Sequence, residues 1–279
     1  MLDLSKLYRP TTAQPFLNNE IHVEIMPCEA LRPYVSCFWG EPGIYSGNRR
    51  TEKTDRLVIP DSCMDILFSL DKDNNIVSSI FTGININSFY AKNNSSNGNT
   101  SLFAIRFPFW AVPLFSDESM RSALDAFSDT DEYFKNFRRD FGEIFKMHTA
   151  MPDRIIKAEQ YLLGRLNGDR LNSNVMNAVH KLIAMKGTAK ITDLMSYTAV
   201  SSRQLERLFK EYAGLSPKQI SGLIRYQYLW QDVLSNSRFN IQDAVFRYGY
   251  SDQAHLLNDF KKYHSLTPSD AKILALHRS

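Results

Sequence analysis

Histidine is scarce where a metal enzyme would need it. Only His22 and His148 precede residue 170. A metal site in a small β domain wants several imidazoles with a carboxylate, so neither a metal nor any other cofactor is expected. Cysteine is scarce too, with Cys28, Cys37 and Cys63 and no Cys-x-x-Cys. An odd count argues against a disulfide scaffold and for a reducing compartment. Cys37 and Cys63 are flanked by apolar strand residues and read as inert core thiols ahead of a redox or thiol-reactive switch. The sequence has no glycine-rich phosphate loop and no credible catalytic triad, so an enzyme is not expected. No apolar run approaches a membrane span. The N-terminus, with Asp3 and Lys6, lacks an apolar signal core, and the expected location is the cytoplasm.

What is present is uneven charge. The 279 residues carry 33 Lys/Arg against 30 Asp/Glu, a net +3. Residues 1–170 hold 19 against 22, and residues 171–279 hold 14 against 8. The first stretch is therefore −3 and the second +6. A basic C-terminal part suits a polyanionic partner. The length favours two domains.

The basic part contains one pattern twice. Phe209-Lys210-Glu211-Tyr212-Ala213-Gly214-Leu215-Ser216-Pro217 returns as Phe260-Lys261-Lys262-Tyr263-His264-Ser265-Leu266-Thr267-Pro268. Ile191-Thr192-Asp193 likewise returns as Ile241-Gln242-Asp243. Such a repeat means two copies of one supersecondary unit. Each copy reads as short helix, tight turn, longer helix. In the first, Ser201 or Ser202 caps a helix whose Leu205, Leu208, Phe209 and Tyr212 face inward, and Gly214 ends it. In the second, Ile241, Ala244, Val245 and Tyr248 face inward, Gly249 turns, and Ser251 or Asp252 caps a helix buried through Leu256, Phe260 and Tyr263. This is a helix-turn-helix layout. Between the copies, Pro217 opens a helix to Asn236, roughly 30 Å long and comparable with one turn of B-DNA, about 34 Å.

With that spacing in view, residues from about 172 to 275 resemble the DNA-binding domain of the AraC/XylS family of bacterial transcription regulators. The matching positions are Ser201, Leu205, Arg207, Phe209-Lys210, Gly214, Ser216-Pro217, Arg225, Ile241, Gly249-Tyr250, Phe260-Lys261 and Thr267-Pro268. Ala199 stands where the family usually has Gly, Gln231 where it has a small Ala, and Ala244-Val245 inverts the common order. The resemblance implies a regulator that binds double-stranded promoter DNA and engages RNA polymerase. Its N-terminal domain would bind a small effector or mediate homodimerisation. The segments 31–39 and 59–68 resemble one cupin-type sensor subgroup more weakly.

Candidate DNA-facing residues in the first motif are Ser202, Arg203, Gln204, Glu206, Arg207 and Lys210. Arg207 suits guanine and Glu206 suits cytosine N4. Arg207 has a second reading, a bridge to the connecting helix. The second motif offers Gln253, Ala254, His255, Leu257, Asn258 and Lys261, a less polar surface, so the first is expected to discriminate bases and the second to position. Arg225, among apolar neighbours, is expected to hold the motifs together.

The N-terminal part reads as β-rich, with strands at Ile21–Met26, Tyr34–Trp39, Leu57–Ile59, Met64–Leu70, Ile76–Thr82, Ile84–Tyr90 and Leu102–Phe107. Asn93–Thr100 reads as an exposed loop. Helices follow at Asp117–Phe127, Asp129–Met147 and Asp153–Leu166. The expected fold class is α+β in two domains. Residues 1–168 form a cupin-like β-barrel or jelly roll with trailing helices. Residues 169–279 form an all-α unit with helix-turn-helix motifs at about 191–213 and 241–264, joined by a helix over 217–236. Trp39, Cys63, Phe68 and Phe103 are candidate effector contacts, although strand aromatics are more often core. Two rival classes are an enzyme (a cupin-type catalyst, or a cysteine alkyl acceptor of the DNA-repair kind) and an interaction protein that uses its helices without DNA.

Overall fold

A computed structural model describes residues 3–13, 23–41, 56–91 and 100–276. The N-terminal half is built on strands β1 (Val23–Ile25), β2 (Cys37–Gly40), β3 (Arg56–Val58), β4 (Cys63–Leu70), β5 (Ile76–Thr82), β6 (Phe89–Ala91), β7 (Ser101–Pro108) and β8 (Phe127–Asp129). Six of them form an antiparallel sheet in the order β1-β2-β7-β4-β5-β8, and β3 and β6 pair separately. Register follows from alternation. Met64, Ile66 and Phe68 lie opposite Phe107, Ile105 and Phe103, while Asp65 lies opposite Arg106. Successive strand residues point to opposite faces, so one face is largely apolar, broken by the serines Ser79 and Ser101 opposite Phe68 and Leu70, and the other carries charge.

The apolar face is covered by helices α1 (Phe137–Met147) and α2 (Met151–Arg165). Phe68 stacks on Phe141 at 4.8 Å, and Phe103 meets Phe145 edge-on at 5.1 Å. Phe68, Phe103 and Phe141 are fully buried. This aromatic layer is the core of the N-terminal half.

The region before α1 departs from expectation. Asp117–Phe127 is not a helix. It makes one 3-10 turn at Met120–Ser122, then reaches the sheet edge as β8. The backbone of Ala123 passes so close to Gly83 that a β-carbon there would sit 1.8 Å from the Ala123 carbonyl oxygen, and Asp125 is left-handed at φ 51°. Close sheet packing thus overrides the helical periodicity. The helix expected over Asp129–Met147 begins only at Phe137, because Asn136 is left-handed at φ 68°. Of Ile84–Tyr90, only Phe89 and Tyr90 are in a strand, and Ile84 makes an isolated bridge to Leu124. Ile21 and His22, and the 93–100 loop apart from Thr100, lie outside the described residues.

The helical half comprises α3 (Ser173–Ala184), α4 (Ile191–Thr198), α5 (Ser202–Ala213), α6 (Pro217–Ser235), α7 (Ile241–Arg247), α8 (Gln253–His264) and α9 (Pro268–Leu276). Ser201 caps α5 through the Gln204 N–H, and Asp252 caps α8 through the His255 N–H. Gly214 ends α5 at φ 72°, and Gly249 makes the second turn at φ 65°. Ala199 holds the matching first turn at φ 55°. A side chain is costly there, by about 1–2 kcal/mol. Among the described residues no helix is long and apolar enough to cross a membrane.

Helix α6 is where the halves meet. Gln227 is fully buried; its Nε2 donates to Pro60 O at 2.6 Å and its Oε1 accepts from Thr11 N at 2.7 Å. Trp230 Nε1 donates to Thr12 O and Gln231 Nε2 to Arg9 O. Gln231, with Gln227 and Trp230, thus ties down the N-terminal segment.

His264, at the end of α8, is fully buried, stacks on Phe260 and hydrogen-bonds the Tyr226 hydroxyl at 2.8 Å. Burial pushes its imidazole down to about 3. A depressed folded value means the neutral ring stabilises the fold above about pH 6.5, and that stability is lost as pH falls from there toward 3. The stability difference between wild type and His264→Phe, measured by urea unfolding, should therefore change by about 1.4 kcal/mol per pH unit between pH 6 and 4.5, the wild type losing more on acidification.

Candidate functional site

The outward faces of α5 and α8 are built by subtraction. Leu205, Leu208, Phe209 and Tyr212 turn α5 inward, as Leu256, Phe260 and Tyr263 turn α8. On α5 this leaves Arg203, Gln204, Arg207 and Lys210 exposed, with Ser202 and Glu206 half-buried. Arg207 is 56% exposed and lies 3.5 Å from Glu211, one turn on, and Glu211 is itself held at 2.7 Å by Arg121 from the N-terminal half. The bridge from Arg207 to the connecting helix is therefore not formed. Lys210 donates to Gly214 O at 3.1 Å, which sets it over the carbonyl end of α5. On α8, Gln253, Ala254, His255, Asn258 and Lys261 are exposed and Leu257 is half-buried. His255 leans on Tyr250 and on the Ser251 hydroxyl, 3.1 Å away.

A second feature sits on the charged face of the main sheet. A cavity of about 450 Å³ lies between that face and the β3–β6 pair. Trp39, Cys63, Asp65, Arg106 and Phe127 line it from the sheet, and Phe89 from the β3–β6 pair opposite. Arg106 donates from Nε to Asp65 at 2.9 Å and lies 3.3 Å from Asp61. Of the four residues proposed to touch an effector, Trp39 and Cys63 line this cavity. Phe68 and Phe103 do not, because strand alternation turns them into the aromatic core beneath α1. The charged members Asp61, Asp65 and Arg106 escaped notice in the sequence. Their signal was a polar residue between apolar neighbours, as in Met64-Asp65-Ile66 and Ile105-Arg106-Phe107. Burial pushes the Cys37 thiol up to about 12 and raises that of Cys63. Neither is the thiolate that an alkyl acceptor needs at neutral pH.

Residues 194–272 match a family model described as a helix-turn-helix domain. This domain is of the AraC type. Residues 23–129 match a domain of unknown function, DUF6597. No curated protein matches the chain. Among solved structures, an AraC-type transcriptional regulator from Chromobacterium violaceum is 25% identical over 38% of this chain and 95% of its own, with a TM-score of 0.35. Wild-type ToxT from Vibrio cholerae with a bound unsaturated fatty acid is 12% identical over 81% of this chain and 93% of its own, with a TM-score of 0.43. An apo variant of ToxT is 13% identical over 80% and 94%, with a TM-score of 0.43.

Within the AraC-type domain, α6 sets the two motifs relative to each other. On one side Gly187 packs so tightly that an added β-carbon would lie 2.3 Å from Ser221 O, and Ser221 Oγ donates to Gly187 O. On the other, Arg225 donates to Asp259 of α8 at 2.9 Å and lies 4.3 Å over the Tyr250 ring. Both partners of that ion pair are largely buried, with side chains 20% and 17% exposed. The Arg225→Ala variant should lose about 1–3 kcal/mol of unfolding free energy, read by urea denaturation.

Proposed function

We propose that the chain is a sequence-specific DNA-binding transcription regulator whose N-terminal half, to about residue 168, senses a small effector. The observation that carries the DNA reading is the duplicated motif, with two exposed polar helix faces mounted on one rigid helix. Nineteen residues of α6 span about 28 Å, a length suited to successive major grooves on one side of the duplex. In this reading Arg203, Gln204, Glu206 and Arg207 enter one groove, with Arg207 on guanine and Glu206 on cytosine. Asn258 meets adenine and Leu257 a thymine methyl in the next groove. Lys261 and the first turn of α8 position the backbone.

The sensing reading is supported by the cavity and by its wiring. Pro60, whose carbonyl accepts from Gln227 of α6, lines that cavity beside Asp61. Three further contacts reach the motifs themselves. Arg121 pairs with Glu211, Ser88 and Ser265 hydroxyls are 2.6 Å apart, and Gly214 packs on the Met120 carbonyl. A shift in the cavity floor thus reaches, through Pro60 and Gln227, the helix that carries both motifs.

Genomic fragments retained by the purified chain should carry a bipartite site with elements about one helical turn apart, and retention should fall steeply with salt. Arg207→Ala should relax preference at one or two base pairs, at a cost of about 1–3 kcal/mol. Uniform weakening across all sequences would instead remove Arg207 from the base-reading set.

A further inference from the structure

Among the described residues, the cavity lining carries more negative than positive charge: Asp61, Asp65 and Asp125 face one guanidinium, that of Arg106. Arg106 donates through Nε at 2.9 Å and Nη2 at 3.3 Å to Asp65, which also accepts from Trp39 Nε1 at 2.9 Å. That pair is mutually neutralised. Asp61 is left with the remaining nitrogen, Nη1, at 3.3 Å and with the Cys63 backbone N–H at 3.1 Å. Its side chain is only 15% exposed, and burial raises its carboxyl above the usual range, with Asp65 adding to the rise against Arg106. Asp61 is thus a buried acid short of counter-charge.

The surroundings define what would supply that charge. Phe89 and Phe127 bring aromatic rings to the cavity, beside the Trp39 ring that already lies under Arg106, and Val58 and Leu67 bring aliphatic surface. Aromatic faces and a carboxylate both favour an ammonium group, while apolar walls favour a hydrocarbon body. An anionic ligand would meet the carboxylates, since the guanidinium is already engaged. We infer that this cavity binds a small organic cation, an alkyl or arylalkyl amine, with its ammonium on Asp61 and its body toward Phe89 and Phe127. The assignment rests on the reading of the N-terminal half as a sensor, and it names the chemistry of the signal.

The test is a titration of the full chain with butylamine, 2-phenylethylamine and tryptamine. Each is set beside its neutral alcohol and its carboxylate isostere, with tryptophan fluorescence and thermal unfolding as readouts. At least one amine should bind about tenfold or more tightly than its alcohol, with no binding of the carboxylate. Asp61→Asn should abolish that preference. Phe127→Ala, at an exposed rim position, should weaken the amine several-fold without altering the fold. Equal binding of amine and alcohol, tighter binding of a carboxylate, or no response to any amine would overturn the assignment. Retention on DNA fragments, measured on the same preparation both without amine and with it at saturation, tests the other reading alone. Amine selectivity without DNA binding would sink the regulator, and DNA binding without amine selectivity would sink the cavity assignment.

Discussion

A buried amide must have partners for both its ends, and that requirement on Gln227 joins the two halves of this molecule. The residue is fully enclosed in the middle of α6, and both of its polar atoms are satisfied across the divide, by Pro60 and Thr11. Around it Tyr226, Leu229 and Trp230 fill the apolar interior, and Trp230 reaches the Thr12 carbonyl. The helix that spaces the two motifs is therefore also the helix that the N-terminal half holds. Movement of one cannot leave those hydrogen bonds intact unless the other follows.

The main sheet works by the opposite division of labour. Its strands place a layer of phenylalanines on one face and charge, with Trp39, on the other. The helix-backed face is a dry layer of phenylalanines around Phe68, Phe103, Phe141 and Phe145. The second face keeps Trp39, Asp65 and Arg106 in a hydrogen-bonded cluster at the cavity. The same rule that builds the core thereby reserves a polar surface for a ligand. Cys37 and Cys63 lie on that polar face, yet their thiols are too buried for thiolate chemistry.

The repeat made the helical half legible. Helical spacing of Leu205, Leu208, Phe209 and Tyr212, the serine and aspartate caps, Gly214 and Pro217 are local signals, and the structure has each in the place the spacing assigns. Arg225 was legible as a tie because a charge amid apolar neighbours needs a buried partner. Its choice of Asp259 and Tyr250 was not, since both lie far along the chain. The helix expected over Asp117–Phe127 failed for the converse reason. Its apolar spacing is helical, but contact with Gly83 and pairing of β8 with β5 decide its shape.

By itself, then, the sequence determined the duplicated helix-turn-helix unit, because helix caps and a 3.6-residue period act within a few residues of one another. It also determined the basic charge of that unit. Tertiary structure alone decided which strand aromatics became core and which lined a cavity. Only there did Asp61, Asp65 and Arg106 come together, and only there did Pro60 find Gln227. Strand order and interdomain hydrogen bonds join residues separated by 41 and 167 positions. No local pattern can encode such a partner.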